Sequence, residues 1–168
     1  LTKTLVRLSS QYTQADLAAR VFLLPQLQEL ASTRFQQLAA LAESDPQAVV
    51  RVALPDALRS ILPSELQEQI ETSISVEGKL EVLYQDTEGI GSEDEQLRYF
   101  LHVGNERLAL SFVVKPTQHL QTGTFVRVSG LRVAESLVVE SGASDLEIFE
   151  TAVATVTGPK RVLVVLVN

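Results

Sequence analysis

The sequence predicts an α+β protein: an N-terminal helical segment followed by a small OB-like antiparallel β-barrel. Three observations predict it. Apolar residues recur at spacings of three to five between Leu17 and Leu41, the period of one helix face. At Ser73 the period changes to two. From there to Glu140 about five short strands follow one another, separated by glycine- and proline-marked turns, the count and order of a five-stranded barrel.

The front reads as one long helix and then several short ones. Thr13 is a plausible N-cap with Asp16 three residues on, and Leu17, Val21, Leu24, Leu27, Leu30, Phe35, Leu38 and Leu41 supply the face to be buried. Pro25 lacks an N–H and predicts a kink or a split. Beyond the long helix, Asp45-Pro46, Leu54-Pro55 and Leu62-Pro63 repeat one punctuation. Proline suits the first turn of a helix, so each is expected to open a short one.

The strands are expected at 74–84, Leu97–Val103, Arg107–Val114, Thr124–Val133 and Ser136–Glu140. Gly104-Asn105 marks a tight hairpin between the second and third, and Gly78 and Gly130 fall where bulges or bends are expected. Lys115-Pro116 ends the third strand, and a short turn or helix leads to Gly123. Leu146–Val156 reads as one more strand, and Thr157-Gly158-Pro159 as a break. Val162–Val167 is a near-continuous apolar run, the pattern of a strand covered on both faces. The expected division is a helical segment over 1–72, the barrel over 73–157, and over 158–168 a linker and the first strand of a further domain, the alternative being that this last strand closes the same domain.

Composition narrows the chemistry. The chain has no Cys and no Met, which excludes a disulfide framework, a thiolate metal site and a cysteine nucleophile. A sulfur-free chain offers nothing to oxidise at those residues and suits an exported protein, secreted or periplasmic. It begins at Leu1, as a processed precursor or a trimmed chain would. No apolar run approaches the ~20 residues that span a bilayer, so no membrane partner is expected. The formal charge is −7, and residues 73–150 carry six basic groups against thirteen acidic ones. Phosphate backbones are bound by clustered Lys and Arg, so nucleic acid is a poor partner and a basic protein surface a better one.

The residues that carry chemistry elsewhere are poorly placed here. His102 and His119 lie far apart in sequence, with no i, i+4 partner, and read as structural or surface histidines. Asp86–Glu95 holds hard oxygen ligands, but calcium takes about six to eight in a set spacing, and a solvated loop is the simpler reading. No Gly-x-Ser-x-Gly elbow and no glycine-rich phosphate loop is present. Arg98, Tyr99 and Phe100 offer a stacking platform of the OB type, yet strand alternation sends Tyr99 and Phe100 to opposite sides, so one belongs to the core. No catalytic, cofactor-binding or metal-binding residue is therefore assigned.

Four segments carry a resemblance. Ala53-Leu-Pro-Asp-Ala-Leu-Arg-Ser-Ile-Leu-Pro63, Val76-Glu-Gly-Lys-Leu-Glu-Val-Leu-Tyr84, Arg98-Tyr-Phe-Leu101 with Glu106-Arg-Leu-Ala-Leu110, and Gly123-Thr-Phe-Val-Arg-Val-Ser-Gly130 are similar to the N-terminal, propeptide-like region of secreted bacterial zinc metallopeptidases of the gametolysin type. Gly158–Asn168 resembles the first strand of the peptidase domain. The resemblance implies a non-catalytic pro or accessory domain that assists the folding of the downstream domain of the same polypeptide, or covers its active cleft. The zinc-binding His-Glu-x-x-His motif is absent from the chain, so no catalytic residue is carried over. The alternative expectation is a cell-surface module that binds carbohydrate or protein through its barrel.

Overall fold

The computed structural model describes residues 1–84 and 97–150. Helices α1 (Thr2–Gln14) and α2 (Leu17–Ser44) fold back on each other across Ala15-Asp16, with Leu5 of α1 buried among Leu27 and Ala31 of α2. Helix α1 was not expected as a separate element. Thr13 is not an N-cap but lies in its last turn, where its hydroxyl donates to the Ser10 carbonyl at 2.9 Å. Asp16 caps α2 instead, its Oδ1 accepting the Ala19 amide at 2.8 Å. Pro25 neither splits α2 nor ends it. It sits on an exposed side of the helix, where the carbonyl it leaves without a donor can be solvated. The Gln26 side chain meanwhile donates to the Phe22 carbonyl at 3.1 Å.

The next three prolines each open a short helix, as the punctuation predicts. Pro46 is the first residue of α3 (Pro46–Val52), Pro55 precedes α4 (Asp56–Arg59), and Pro63 precedes a 3-10 helix over Ser64–Gln69. Leu54, Leu62, Leu66 and Ile70 from this stretch close the apolar cluster around Leu27 and Ala31. Ile61 of the same stretch is exposed.

The strands are β1 (Thr72–Tyr84), β2 (Leu97–Val103), β3 (Glu106–Val114), β4 (Phe125–Val133), β5 (Ser136–Ser141) and β6 (Leu146–Glu150). They pair in the order β1-β2-β3-β5-β4, and β4 returns to β1, closing a five-stranded barrel with β6 added beside β4. Neighbours are antiparallel except β3 and β5, which run parallel and make the barrel mixed. Topology dictates that exception. The meander β1-β2-β3 leaves β3 running with β1; β4 opposes β1 and β5 opposes β4, so β5 runs with β3.

The long first strand serves two partners. Thr72–Lys79 pairs with β4, and Lys79–Tyr84 pairs with β2. Gly78 stands at the changeover, where a Cβ would meet the His102 carbonyl and the Leu101 side chain. Gly130 is not a bulge in the β1–β4 ladder, where it stands in regular register opposite Ile74. It is small because the Val138 carbonyl of β5 passes 2.5 Å from where its Cβ would lie. Gly104 takes φ 59° in the two-residue hairpin turn, the region that favours glycine. No helix forms between β3 and β4, and Leu120 from that connection packs into the barrel.

Inward residues of the strands form the barrel core: Leu80, Leu101, Leu110, Val126, Val128, Leu137 and Val139 are buried together. A further cluster joins the two parts of the molecule. Leu38 and Ala42 of α2 and Val49 of α3 pack on Val133 and Val138 of the barrel wall. The acidic run 86–95, the strand expected to continue to 156, and the apolar run 162–167 lie outside the described residues, wholly or, for that strand, beyond Glu150.

One strained position gives a direct stability test. Ala134, in the β4–β5 turn, has φ 52°. For a residue with a Cβ this conformation costs roughly 1–2 kcal/mol. Ala134→Gly is expected to raise the melting temperature by a few degrees in thermal unfolding followed by circular dichroism.

Candidate functional site

The helical layer is held on the barrel by a buried ion pair. Glu71, the residue before β1, faces Arg34 in the middle of α2. Arg34 Nη1 lies 2.5 Å from Glu71 Oε2, and Arg34 Nη2 donates to Oε1 at 2.6 Å, a two-pronged contact. Both partners make further hydrogen bonds. Arg34 Nε donates to the Thr2 hydroxyl at 3.0 Å and Nη2 to the Val52 carbonyl at 3.2 Å. Glu71 Oε1 accepts the Leu54 amide at 2.7 Å, and Arg59 Nη1 donates to the Glu71 carbonyl at 3.0 Å. Burial pushes the Glu71 carboxyl up, but the bonds from Arg34 and the Leu54 amide outweigh it, so it titrates below the usual carboxylate value. The pair ties α1, α2, the α3–α4 connection and β1 into one frame. Sequence reading missed it because Arg34 and Glu71 stand 37 positions apart with no motif to link them.

That frame presents two surfaces of interest. The first is on α2. Leu17 and Val21 were expected in the buried face; instead they are 83% and 66% exposed, and Phe22 is 74% exposed. On a helical projection Leu17, Val21, Pro25, Ala18 and Phe22 occupy one continuous arc, and all five are exposed. The cause is length. The first turns of α2 have α1 as their neighbour on one side, whereas from Leu27 onward α2 also meets α3, the 3-10 helix and strands β4 and β5.

The second surface is a groove of about 560 Å³ where the helical layer meets the barrel. Val50 and Leu131 offer apolar walls, Ser75 and Ser129 hydroxyls, and Glu140 and Arg59 charge. The two serine hydroxyls are bonded to each other at 2.9 Å. Arg59 is held by Asp56 and by the Ser73 hydroxyl at 2.8 Å, while its Nε is buried without a hydrogen-bond partner among the described residues.

The residues singled out in the sequence do not converge on a site. His102 is a surface residue of β2 whose Nε2 is 2.8 Å from Glu81 Oε2. His119 is an exposed residue of the β3–β4 connection. Tyr99 points inward, edge-on to Phe112 with ring centres 5.5 Å apart, while Phe100 points outward beneath the Arg107 guanidinium. The expected split between neighbouring aromatics is thus present. Among the described residues no group of three or more His, Asp or Glu side chains could hold a metal ion. No described helix is long and apolar enough to cross a membrane.

Comparison with family models, with curated proteins and with solved structures finds no match for this chain.

Proposed function

We propose that the chain is a non-catalytic pro or accessory domain of an exported metallopeptidase precursor, which docks on the downstream domain of the same polypeptide and assists its folding or covers its active cleft. The observation that carries the docking is the bare face Leu17-Ala18-Val21-Phe22-Pro25 on α2. A rigid apolar helix face of two turns is a large exposure to leave in water, and such faces mark protein–protein contacts. The parent class rests on the resemblance of the Leu-Pro and Gly-Thr-Phe-Val-Arg-Val-Ser-Gly segments.

The test mixes the chain with the separately produced downstream domain and follows peptidase turnover and refolding yield. The chain is expected to slow turnover or raise the yield. Phe22→Ser with Val21→Ser should abolish the effect while leaving the melting temperature of the chain near wild type, because neither side chain is buried. An unchanged effect in that variant overturns the docking face.

The groove between the helices and the barrel favours a second reading, a module that binds carbohydrate. Its serine hydroxyls, carboxylate and guanidinium offer donors and acceptors beside an aliphatic wall. Glycan-array binding that is lost in Ser129→Leu would select this reading over the first.

A further inference from the structure

The outer face of the barrel carries a row of basic side chains on a chain of net charge −7. The β1–β2 and β2–β3 registers set Lys79, His102 and Arg107 side by side across three strands. Strands lie about 4.8 Å apart, so the row spans about 10 Å. The next row, two residues along each strand, is Glu81, Phe100 and Ala109. Glu81 reaches diagonally into the first row, its Oε2 accepting from His102 Nε2 at 2.8 Å and from Arg107 Nε at 2.9 Å. These two bonds, His102 first, hold the Glu81 carboxyl below its usual range.

Arg107 is the centre of the arrangement. Its guanidinium carbon lies 3.6 Å from the centre of the Phe100 ring, so the plane rests on the aromatic face while Nε is tied to Glu81. Its side chain stays 45% exposed. A guanidinium fixed at Nε and along its plane keeps its two terminal amino groups as a fork, and that fork matches a carboxylate. Beside it the surface is mixed. Leu83 is exposed two residues beyond Glu81 on the same side of β1, and a groove of about 450 Å³ opens next to Phe100, lined by Pro46 and Ala109 together with Glu43, Arg98 and Lys115.

We propose that this face binds an acidic peptide segment of a partner protein in which carboxylate and apolar side chains alternate. The carboxylates sit on the Lys79–His102–Arg107 row, and the apolar side chains sit against Leu83 and in the groove beside Phe100. Charge complementarity selects the acid. The exposed Leu83 selects a peptide over a polyanion backbone: a sulfated sugar has no apolar side chains to cover it. The face is on the barrel and shares no residue with the α2 surface, so it stands or falls separately from the docking proposed above.

The experiment measures fluorescence anisotropy of the full chain with a fluorescein-labelled peptide of alternating glutamate and leucine, at low and at high salt. Saturable binding that weakens with salt is expected. Arg107→Ala and Phe100→Ala should each weaken it about tenfold or more, the scale of a lost anchor. Arg107→Lys should also weaken it, since it keeps the charge and loses the fork. Phe22→Ser should change nothing. Circular dichroism melts of each variant confirm the fold, which these surface changes spare. Absence of saturable binding, equal binding by the Arg107 variants, or tighter binding of heparin or of a single-stranded oligonucleotide would each overturn the proposal.

Discussion

Replacing Arg34 or Glu71 by alanine is expected to cost about 3–5 kcal/mol, the range for stranding one member of a buried ion pair. For a chain of 168 residues that is a fall in melting temperature on the order of 10 °C. The loss has several parts. In Glu71→Ala the Arg34 guanidinium stays buried without its counter-ion, and the Leu54 amide loses its acceptor. In Arg34→Ala the Glu71 carboxylate is stranded, the Thr2 hydroxyl loses the donor it accepts from, and the Val52 carbonyl keeps only the Thr2 hydroxyl. An Arg34→Ala, Glu71→Ala double variant removes both charges at once. It should be less destabilised than the sum of the singles, but not restored, because the Leu54 amide stays orphaned. Urea unfolding of the four proteins measures this. Additive losses would show that the two side chains do not act as a pair.

The same pair sets an acid limit. The Glu71 carboxyl titrates below its unfolded value, near 4.5, so its contribution is complete above that pH and is lost as the pH falls through the lower folded value. Wild-type stability should therefore fall on acidification more steeply than that of the double variant. Parallel curves for the two would remove Glu71 as the cause.

The second large effect is expected at Gly78. A Cβ there would meet backbone, the His102 carbonyl carbon at 2.9 Å as well as its oxygen, and backbone cannot rotate away as a side chain can. Gly78→Ala is expected to cost about 3 kcal/mol, at the upper end of overpacking penalties, and to loosen the β1–β2 pairing first. Gly104→Ala is the comparison. Nothing lies within 4 Å of a Cβ at Gly104, so only its φ of 59° opposes the change, and the cost should be about 1 kcal/mol. Denaturant midpoints for the two variants should differ clearly. Equal midpoints would mean that the changeover between β4 and β2 does not depend on close approach at Gly78.

These residues also show what the sequence could tell. Strand alternation was legible because β-branched and polar residues take turns from Ile74 to Val139, and the Gly104-Asn105 turn fixes its own hairpin. The role of Gly78 was legible as a bend, though not as contact with His102. Helical period in α2 was legible too, but periodicity names a face without saying what covers it. Leu17 and Val21 share the pattern of Leu27 and Leu38 and have no comparable neighbours. Helix α1 was missed because Ser9, Ser10, Gln11 and Thr13 dilute its apolar pattern. The Arg34–Glu71 pair and the Lys79–His102–Arg107 row depend on tertiary register, which a single sequence does not display.

The proposed docking runs through the first turns of α2. Amide hydrogen exchange of the chain, alone and with the separately produced downstream domain, follows that segment itself. Added protection is expected over Leu17–Gln26, where Leu17, Val21 and Phe22 stand in solvent. Protection confined to the barrel strands, or none anywhere, would contradict it.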